Sequence, residues 1–323
     1  MKRFFAFLLI ICLSLSLCAC GKGSIDNGGA GLEIVTTVFP AYDFACRIAG
    51  DKAKVTLLVP PGSETHSFEP TPKDVITLQS CDLLVCNGGE SEQWLEALLE
   101  GQEGEIPCLR MLDCVETVTE EIKEGMQVTG HDHDHEHEEH DHEHEEHGEP
   151  DEHEWTSPAN AILICRRICA RLCEIDPENG EYYVNQLGEY SAELGALDAE
   201  FRDIAQSARF KTLIFADRFP VRYFTEEYGY DYYAAFPGCA DDSEPSARTV
   251  AFLIDRVREE NIPVVFYVEF SNQKMADVVC EDTGCEKLLF HSCHNVTAEQ
   301  LRQGISYLDI MWDNAARLRE ALC

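Results

Sequence analysis

Apolar runs alternate with helical patterns along most of the chain. In the first half, short β-branched or apolar runs predict strands at 33–39, 55–59 and 81–86, and helices are predicted at 42–49, 72–80 and 94–99. The second half repeats the alternation, with strands at 212–216, 232–236, 264–268 and 288–290 and helices at 221–228, 247–260, 274–282 and 298–322. Strands that alternate with helices form mainly parallel sheets flanked by helices. The pattern therefore predicts an α/β protein with two lobes.

A long helical stretch from about 158 to 208 separates the two halves. Ser157 or Thr156 is the expected N-cap, and Pro158 suits the first turn of a helix. The pair Asp176-Pro177 either kinks the stretch or divides it, because proline removes a backbone donor and clashes with the preceding turn. We expect a first lobe at 32–155, a long rigid interlobe helix at 156–208 and a second lobe at 209–323.

The N-terminus has the pattern of an export signal. Lys2 and Arg3 precede an apolar run at 4–17 that is short for a membrane span. The run ends in LCACG, an order that resembles a bacterial lipobox, in which the last cysteine is acylated. We expect a signal peptide with lipobox at 1–20, a lipid anchor on Cys20 and a flexible, Gly-rich tether at 21–31. An ordinary cleavage site with an incidental cysteine is the alternative.

The formal net charge of −35 narrows the choice of partners. Nucleic-acid binding needs a basic face, so this charge excludes nucleic acid and suits a protein that attracts cations. Three of the sixteen cysteines belong to the signal and lipobox, and the remaining thirteen cannot all pair within one chain. Cys165, Cys169 and Cys173 recur on one helix face, either as part of an apolar core stripe or as a thiolate metal site.

Eight of the twelve histidines lie in one acidic tract at 131–147, hereafter the His tract: His131, His133, His135, His137, His140, His142, His144 and His147. Imidazoles interleaved with carboxylates bind transition metals at several exchangeable positions without a fixed geometry. A solvated acidic linker is the alternative. The other four histidines, at 66, 153, 291 and 294, lie at the ends of predicted elements, where α/β lobes place ligands. They predict a mixed His/carboxylate metal site.

At these positions the chain resembles the solute-binding proteins of zinc and manganese ABC importers, the cluster A-I family, over nearly the whole mature chain. Residues 64–74 (ETHSFEPTPKD) are similar to the family's first ligand motif, and residues 151–161 (DEHEWTSPANA) to the second. The His tract lies just upstream of the second motif, where zinc-specific members carry one. Residues 243–247 also resemble a second-lobe element. The resemblance implies two α/β lobes bridged by a long rigid helix, with the metal between them.

The resemblance implies His66 and His153 as first-lobe metal ligands. In the second lobe, the family's register places Arg218 where His or Glu is the ligand. Arg stays protonated and cannot coordinate a metal. Asp217, one residue earlier, is therefore the expected ligand, with pairing to Arg218 as the alternative.

The family's last ligand is an Asp after a late strand, and here the resemblance points to His294, with His291 as the alternative. Glu269, at another strand end, is expected to be structural. Three imidazoles and one carboxylate suit tetrahedral zinc, whereas two of each would suit manganese better.

We therefore expect a monomeric, lipid-anchored extracytoplasmic protein that captures Zn²⁺ between its lobes and delivers it to an ABC importer permease, with no catalytic residues. A Mn²⁺-specific member of the same family, or a surface zinc buffer or adhesin, is the alternative. A zinc hydrolase is disfavoured, because the sequence has neither a His-Glu-x-x-His motif nor a Gly-x-Ser-x-Gly elbow.

Overall fold

Two four-stranded parallel sheets form the frame of the protein, seen in a computed structural model that describes residues 31–101, 106–127, 149–238 and 244–323. The predicted signal peptide, Cys20, nearly all of the predicted tether and the His tract lie outside the described residues. No described helix is long and apolar enough to cross a membrane. The predicted fold class, two α/β lobes with mainly parallel sheets, is confirmed.

The first lobe contains the predicted strand and helix alternation. Its elements are β1 (Leu32–Thr36), α1 (Phe39–Ala49), β2 (Ala53–Leu57), α2 (Pro72–Gln79), β3 (Leu83–Cys86), α3 (Gln93–Glu100) and β4 (Cys108–Arg110). The strand order is β2-β1-β3-β4, and each neighbouring pair is parallel. Thr71 and Asp74 form a reciprocal capping box that begins α2 directly after the loop carrying His66.

Two helices, rather than one, connect the lobes: α4 (Pro158–Ile175) and α5 (Gly180–Ser207). Pro177 cannot continue α4, and Asp176 leaves the helical conformation at φ −135° and ψ 72°, accepting hydrogen bonds from Asn179 and Tyr183 at 2.7 and 2.6 Å. The two helices pack on each other as a hairpin. The 28-residue α5 is roughly 42 Å long at 1.5 Å per residue. It packs on helices of both lobes and so bridges them.

The second lobe repeats the plan of the first. Its elements are β5 (Thr212–Phe219), α6 (Arg222–Tyr228), β6 (Asp231–Pro237), α7 (Ala247–Glu260), β7 (Val264–Tyr267), α8 (Lys274–Thr283), β8 (Glu286–Leu289), α9 (Ala298–Gln303) and α10 (Tyr307–Leu322). The strand order β6-β5-β7-β8 is again parallel throughout.

Three local features differ from the sequence-based expectation. Strand β4 was not predicted, because its three residues show no alternation of apolar and polar side chains. Helix α1 begins at Phe39, with Pro40 tolerated in its first turn. The predicted C-terminal helix is divided, since Gly304 ends α9 at φ 77° and a Ser306–Asp309 capping box begins α10.

One apolar core runs through both lobes and the helix hairpin. Phe44 of the first lobe contacts Tyr190 of α5 and Tyr307 of α10, with ring centroids 6.2 and 5.0 Å apart. Cys165 and Cys169 are buried in the same core. This burial favours the interpretation that the cysteines are apolar core residues over the interpretation that they form a thiolate metal site. The lobes therefore share apolar packing that limits how far they can separate.

Asp43 is a buried acid in this shared core, where its Oδ2 accepts a hydrogen bond from the Tyr190 hydroxyl at 3.1 Å. Burial raises the pKa of Asp43 to about 6. Because the folded pKa lies above the unfolded value of about 3.9, its contribution to stability is present below pH 4 and is lost as the pH rises through 6.

We expect Asp43→Asn to be more stable than the wild type at pH 7, by up to about 3 kcal/mol, with the advantage shrinking towards pH 4. The variant keeps the size of the side chain and an oxygen for Tyr190. Denaturant unfolding of both chains between pH 4 and 7 measures the difference. The exposed Asp313, paired with Arg317, provides the control Asp313→Asn. Parallel pH curves for Asp43→Asn and the wild type would contradict the prediction.

Candidate metal centre

A cavity opens between the lobes at the carboxyl ends of both sheets, where parallel α/β proteins place ligands. Side chains from the loops after β2, β3, β5, β6, β7 and β8 and from the segment before α4 line it: Ser63, Glu64, His66, Asn87, Ser91, Glu152, His153, Arg218, Pro220, Gly238, Val268, Glu269, Phe270, Ser292, His294 and Asn295. Residues of both lobes therefore line the cavity.

Three of the predicted ligands, His66, His153 and His294, line this cavity together. The rings of His153 and His294 stand edge to face with centroids 5.7 Å apart. Two imidazoles on one tetrahedral zinc have centroids roughly 5 Å apart, given Zn–N distances of about 2.0 Å. His66 is exposed on its loop. Within the described residues, no three His, Cys, Asp or Glu side chains stand close enough together to hold a metal ion.

His153 is held by the carboxylate of Asp151. Its backbone N–H and its ring Nδ1 lie 2.9 and 3.2 Å from the same oxygen of Asp151. Burial opposes protonation of His153, but the negative charge of Asp151 and its hydrogen bond raise the pKa of the imidazole. A carboxylate only accepts hydrogen bonds, so Nδ1 carries the proton shared with Asp151, and the neutral form of this imidazole would have its lone pair on Nε2.

The imidazole of His294 is held in its neutral form. Burial, followed by electrostatic interaction with His153, His66 and Arg218, lowers the pKa of His294 well below its usual range. Its Nε2 lies 3.0 Å from the hydroxyl of Thr65, the residue before His66. An imidazole that stays neutral is ready to coordinate a metal, which would take the place of Thr65 at Nε2.

A strained turn places His294 at the cavity. Cys293 has φ 64°, a conformation that non-glycine residues rarely adopt. Its backbone N–H donates to Nδ1 of His291 at 3.0 Å, and the N–H of His294 donates to the Ser292 hydroxyl at 3.1 Å. Ser292 in turn donates both its N–H, at 2.7 Å, and its hydroxyl to Glu269. These bonds hold the turn in its strained form.

The structure does not place His291 or Asp217 among the cavity residues. His291 is buried, with its Nδ1 accepting the Cys293 N–H and its backbone paired with Asn314. Asp217 lines a neighbouring pocket on the other side of β5. Its oxygens accept the backbone N–H groups of Arg218 and Val268 at 2.8 and 3.2 Å, and burial raises its pKa.

Glu269 and Arg218 line the cavity instead of Asp217. The side chain of Glu269 is 10% exposed and follows Tyr267, the last residue of β7, by two positions. Arg218 lies 3.7 Å from Glu64 of the first-lobe loop, so the two form an ion pair across the cavity. Ligands in α/β lobes lie at the carboxyl ends of strands, which is why the histidines were predicted to line the site. The same argument applies to Glu269, so its place in the cavity could have been predicted from the sequence.

Buried carboxylates lie behind His153. Burial raises the pKa of Glu92 to about 7 and that of Glu154 well above its usual range, and each is further raised by neighbouring acids. Both oxygens of Glu154 and one of Glu92 have no hydrogen-bond partner among the described residues. Because burial penalises their ionised forms, these carboxyl groups keep their protons to higher pH than exposed acids do, and neither side chain lines the cavity.

Fold and site together define a class: two-lobed solute-binding proteins with a histidine-lined cavity between the lobes. The chain matches the family described as ZnuA, zinc-uptake complex component A, periplasmic, over residues 34–321. The high-affinity zinc uptake system protein ZnuA of Bacillus subtilis strain 168 is 33% identical over 329 residues, which cover 99% of this chain and 98% of the relative. This chain therefore belongs to the ZnuA family, which confirms the resemblance seen in its motifs.

Other relatives agree with this assignment. The zinc-binding lipoprotein AdcA of Streptococcus pneumoniae TIGR4 is 28% identical over 322 residues, which cover 99% of this chain but only 61% of AdcA. The crystal structure of the metal-dependent lipoprotein YcdH from Bacillus subtilis has a TM-score of 0.73 at 29% identity, covering 90% of this chain and 99% of YcdH. The Zn(II)-bound ZnuA-like domain of Streptococcus pneumoniae AdcA has a TM-score of 0.72 at 25% identity, covering 90% and 98%.

Asp151→Asn tests the role of the carboxylate that orients His153. We expect the substitution to lower metal affinity by about ten- to hundredfold, because loss of a partner that orients a ligating histidine has this cost. Competition with a chromogenic zinc chelator at fixed pH measures the change. Asp113→Asn, at an exposed position outside the cavity, is the control. An Asp151→Asn chain that binds as tightly as this control would show that Asp151 does not prepare the ligand.

Proposed function

We propose that this protein is the extracytoplasmic solute-binding lipoprotein of a zinc ABC importer. It captures Zn²⁺ in the interlobe cavity and delivers it to the membrane permease, with no chemical step. The observation that carries this proposal is the meeting of His66, His153 and His294, from three separate segments, at one cavity. The family description and the names of the relatives, ZnuA and AdcA, support zinc as the cargo.

The proposed ligands are His66, His153, His294 and Glu269. Asp217, expected from the sequence to be the carboxylate, is replaced in this proposal because its oxygens face the backbone of Arg218 and Val268. Glu269 lines the cavity, and its two oxygens accept the N–H and the hydroxyl of Ser292, so binding the ion would require the hydroxyl to release one oxygen. Three nitrogens and one oxygen suit tetrahedral zinc better than the oxygen-rich sites that manganese prefers.

Capture proceeds in two stages. His153 and His294 already face each other and receive the ion first. His66, exposed on its loop, then swings inwards and completes the coordination. The shared core limits the movement of the lobes, so a loop supplies most of the closure.

The His tract is proposed to collect zinc before transfer to the cavity. Its eight imidazoles offer exchangeable positions, which favour rapid loading and release over tight binding. Anchoring through a lipid on Cys20 would keep the chain at the membrane beside its permease, and a single chain is sufficient to form the cavity. Proteins whose names describe laminin-binding adhesins share this fold at 20–21% identity, so a surface zinc buffer or adhesin is the competing function.

Metal content separates these functions. We expect the mature chain lacking residues 131–147 to retain one tight zinc equivalent, and His66→Ala in that background to lose it, because the cavity then keeps only two imidazoles. Elemental analysis after dialysis, with zinc and manganese offered together, measures both occupancy and preference. A chain that loses all tight binding with the tract would be a buffer. Preference for manganese would retain the transport function but overturn the zinc assignment.

Glu269→Gln and Asp217→Asn form a matched pair that identifies the carboxylate ligand. We expect Glu269→Gln to weaken zinc binding by about a hundredfold or more, since even a lost supporting group costs ten- to hundredfold. Asp217→Asn should change affinity by no more than about twofold, the range of a substitution remote from the ion. Isothermal titration in the tract-deleted chain measures both. The reverse order of effects would restore Asp217 as the ligand.

A further inference from the structure

Asn295 connects the second lobe to the turn at residues 60–63 of the first. Its side-chain Nδ2 donates to the carbonyl of Ser63 at 2.7 Å and to that of Pro60 at 3.4 Å. Its Oδ1 accepts the N–H of Gly62 at 3.3 Å and that of Val296 at 2.7 Å. The residue is buried, with 9% of its surface exposed. Both ends of the amide are thus used, which makes this contact specific for asparagine.

The two segments joined by Asn295 each carry a proposed zinc ligand. Asn295 directly follows His294, and Ser63 precedes His66 by three residues. The hydroxyl of Thr65 lies 3.0 Å from Nε2 of His294, which brings the same two segments together a second time. The position of the His66 loop relative to His294 is therefore set by side chains of the second lobe.

The far end of the His66 loop is fixed within the first lobe. The ring of Phe68 packs against Trp94 with centroids 4.9 Å apart, and its N–H donates to the carbonyl of Thr65 at 3.2 Å. His66 thus lies on a short span between an anchor in each lobe. An exposed side chain on such a span loses less conformational entropy on binding than one on a free loop.

We propose that Asn295 is a positioning residue of the metal site, which clamps the turn at 60–63 so that His66 closes on an ion held by His153 and His294. The inference rests on the proposed function, because it assigns Asn295 a role that acts through His66. Loss of the clamp leaves His66 free to move away from the bound ion. The effect is therefore expected mainly in the rate of zinc dissociation, with association little changed.

A double-mutant cycle tests the clamp in the full mature chain, using Asn295→Ala, His66→Ala and the combination. We expect Asn295→Ala to weaken zinc affinity by about ten- to hundredfold, as for other groups that orient a ligand. In the His66→Ala background it should have an effect of no more than about twofold, because the ligand that it positions is gone. Competition titration gives the affinities, and stopped-flow transfer to a chelator gives the dissociation rates.

Asn272→Ala is the matched control, since Asn272 accepts a backbone hydrogen bond from Lys274 in another second-lobe loop and does not line the cavity. Amide hydrogen exchange of residues 60–66 in the metal-free chain provides a readout without zinc, and should be faster in Asn295→Ala than in the control. If Asn295→Ala does not fold, Asn295→Asp is used in the same cycle. It keeps the acceptor for Gly62 and loses the donor to Ser63 and Pro60.

The outcomes of these experiments distinguish a failure of the proposed role of Asn295 from a failure of the proposed ligand role of His66. Equal losses from Asn295→Ala with and without His66, or no loss at all, would overturn the clamp while leaving His66 as a ligand. Unchanged affinity in His66→Ala would overturn the ligand role of His66, and the clamp with it. Faster exchange at 60–66, together with an affinity loss confined to the chain that retains His66, supports the proposal.

Discussion

The buried indole of Trp155 holds the two halves of the site in register. Its Nε1 donates to the carbonyl of Ser292 at 2.8 Å, and its own carbonyl accepts the hydroxyl of Tyr307 at 2.7 Å. The ring lies 5.5 Å from the imidazole of His153 and 5.7 Å from that of His294. Because Trp155 is almost fully buried, both imidazoles are positioned by a group that cannot easily move. The positions of the other side chains of the site depend on this buried indole.

Burial and hydrogen bonding treat the two buried histidines of the cavity differently. Burial lowers the pKa of His294 well below its usual range, so its imidazole stays neutral. Asp151 instead holds the ring of His153 through Nδ1 and raises the pKa of that imidazole. Arg218 adds one positive charge, which pairs with Glu64 across the mouth of the cavity. In the proposed site, selectivity for a divalent ion would come from the ligand set.

The sequence predicted the fold well, because nearly every strand is a continuous apolar run bounded by turn residues. It also pointed to three histidines that line one cavity, His66, His153 and His294, whose role as ligands stays a prediction. It did not distinguish Asp217 from Glu269, because each lies near the carboxyl end of a different strand and the sequence does not show which of the two lines the cavity. The pairing of β5 with β6 is irregular between Phe215 and Arg218, and no sequence pattern indicated this irregularity. The hydrogen bonds of Asn295 could not be predicted from the sequence either, because they depend on tertiary contacts.

The core shared by Phe44, Tyr190 and Tyr307 has a consequence for the life of the protein outside the cytoplasm. Lobes that share one core are expected to unfold as a single cooperative unit. An ion bound between them then stabilises the entire chain, by an amount that grows with its free concentration relative to the dissociation constant. Occupied molecules would resist proteolysis better than empty ones, so the steady-state abundance of the protein would itself follow the supply of metal.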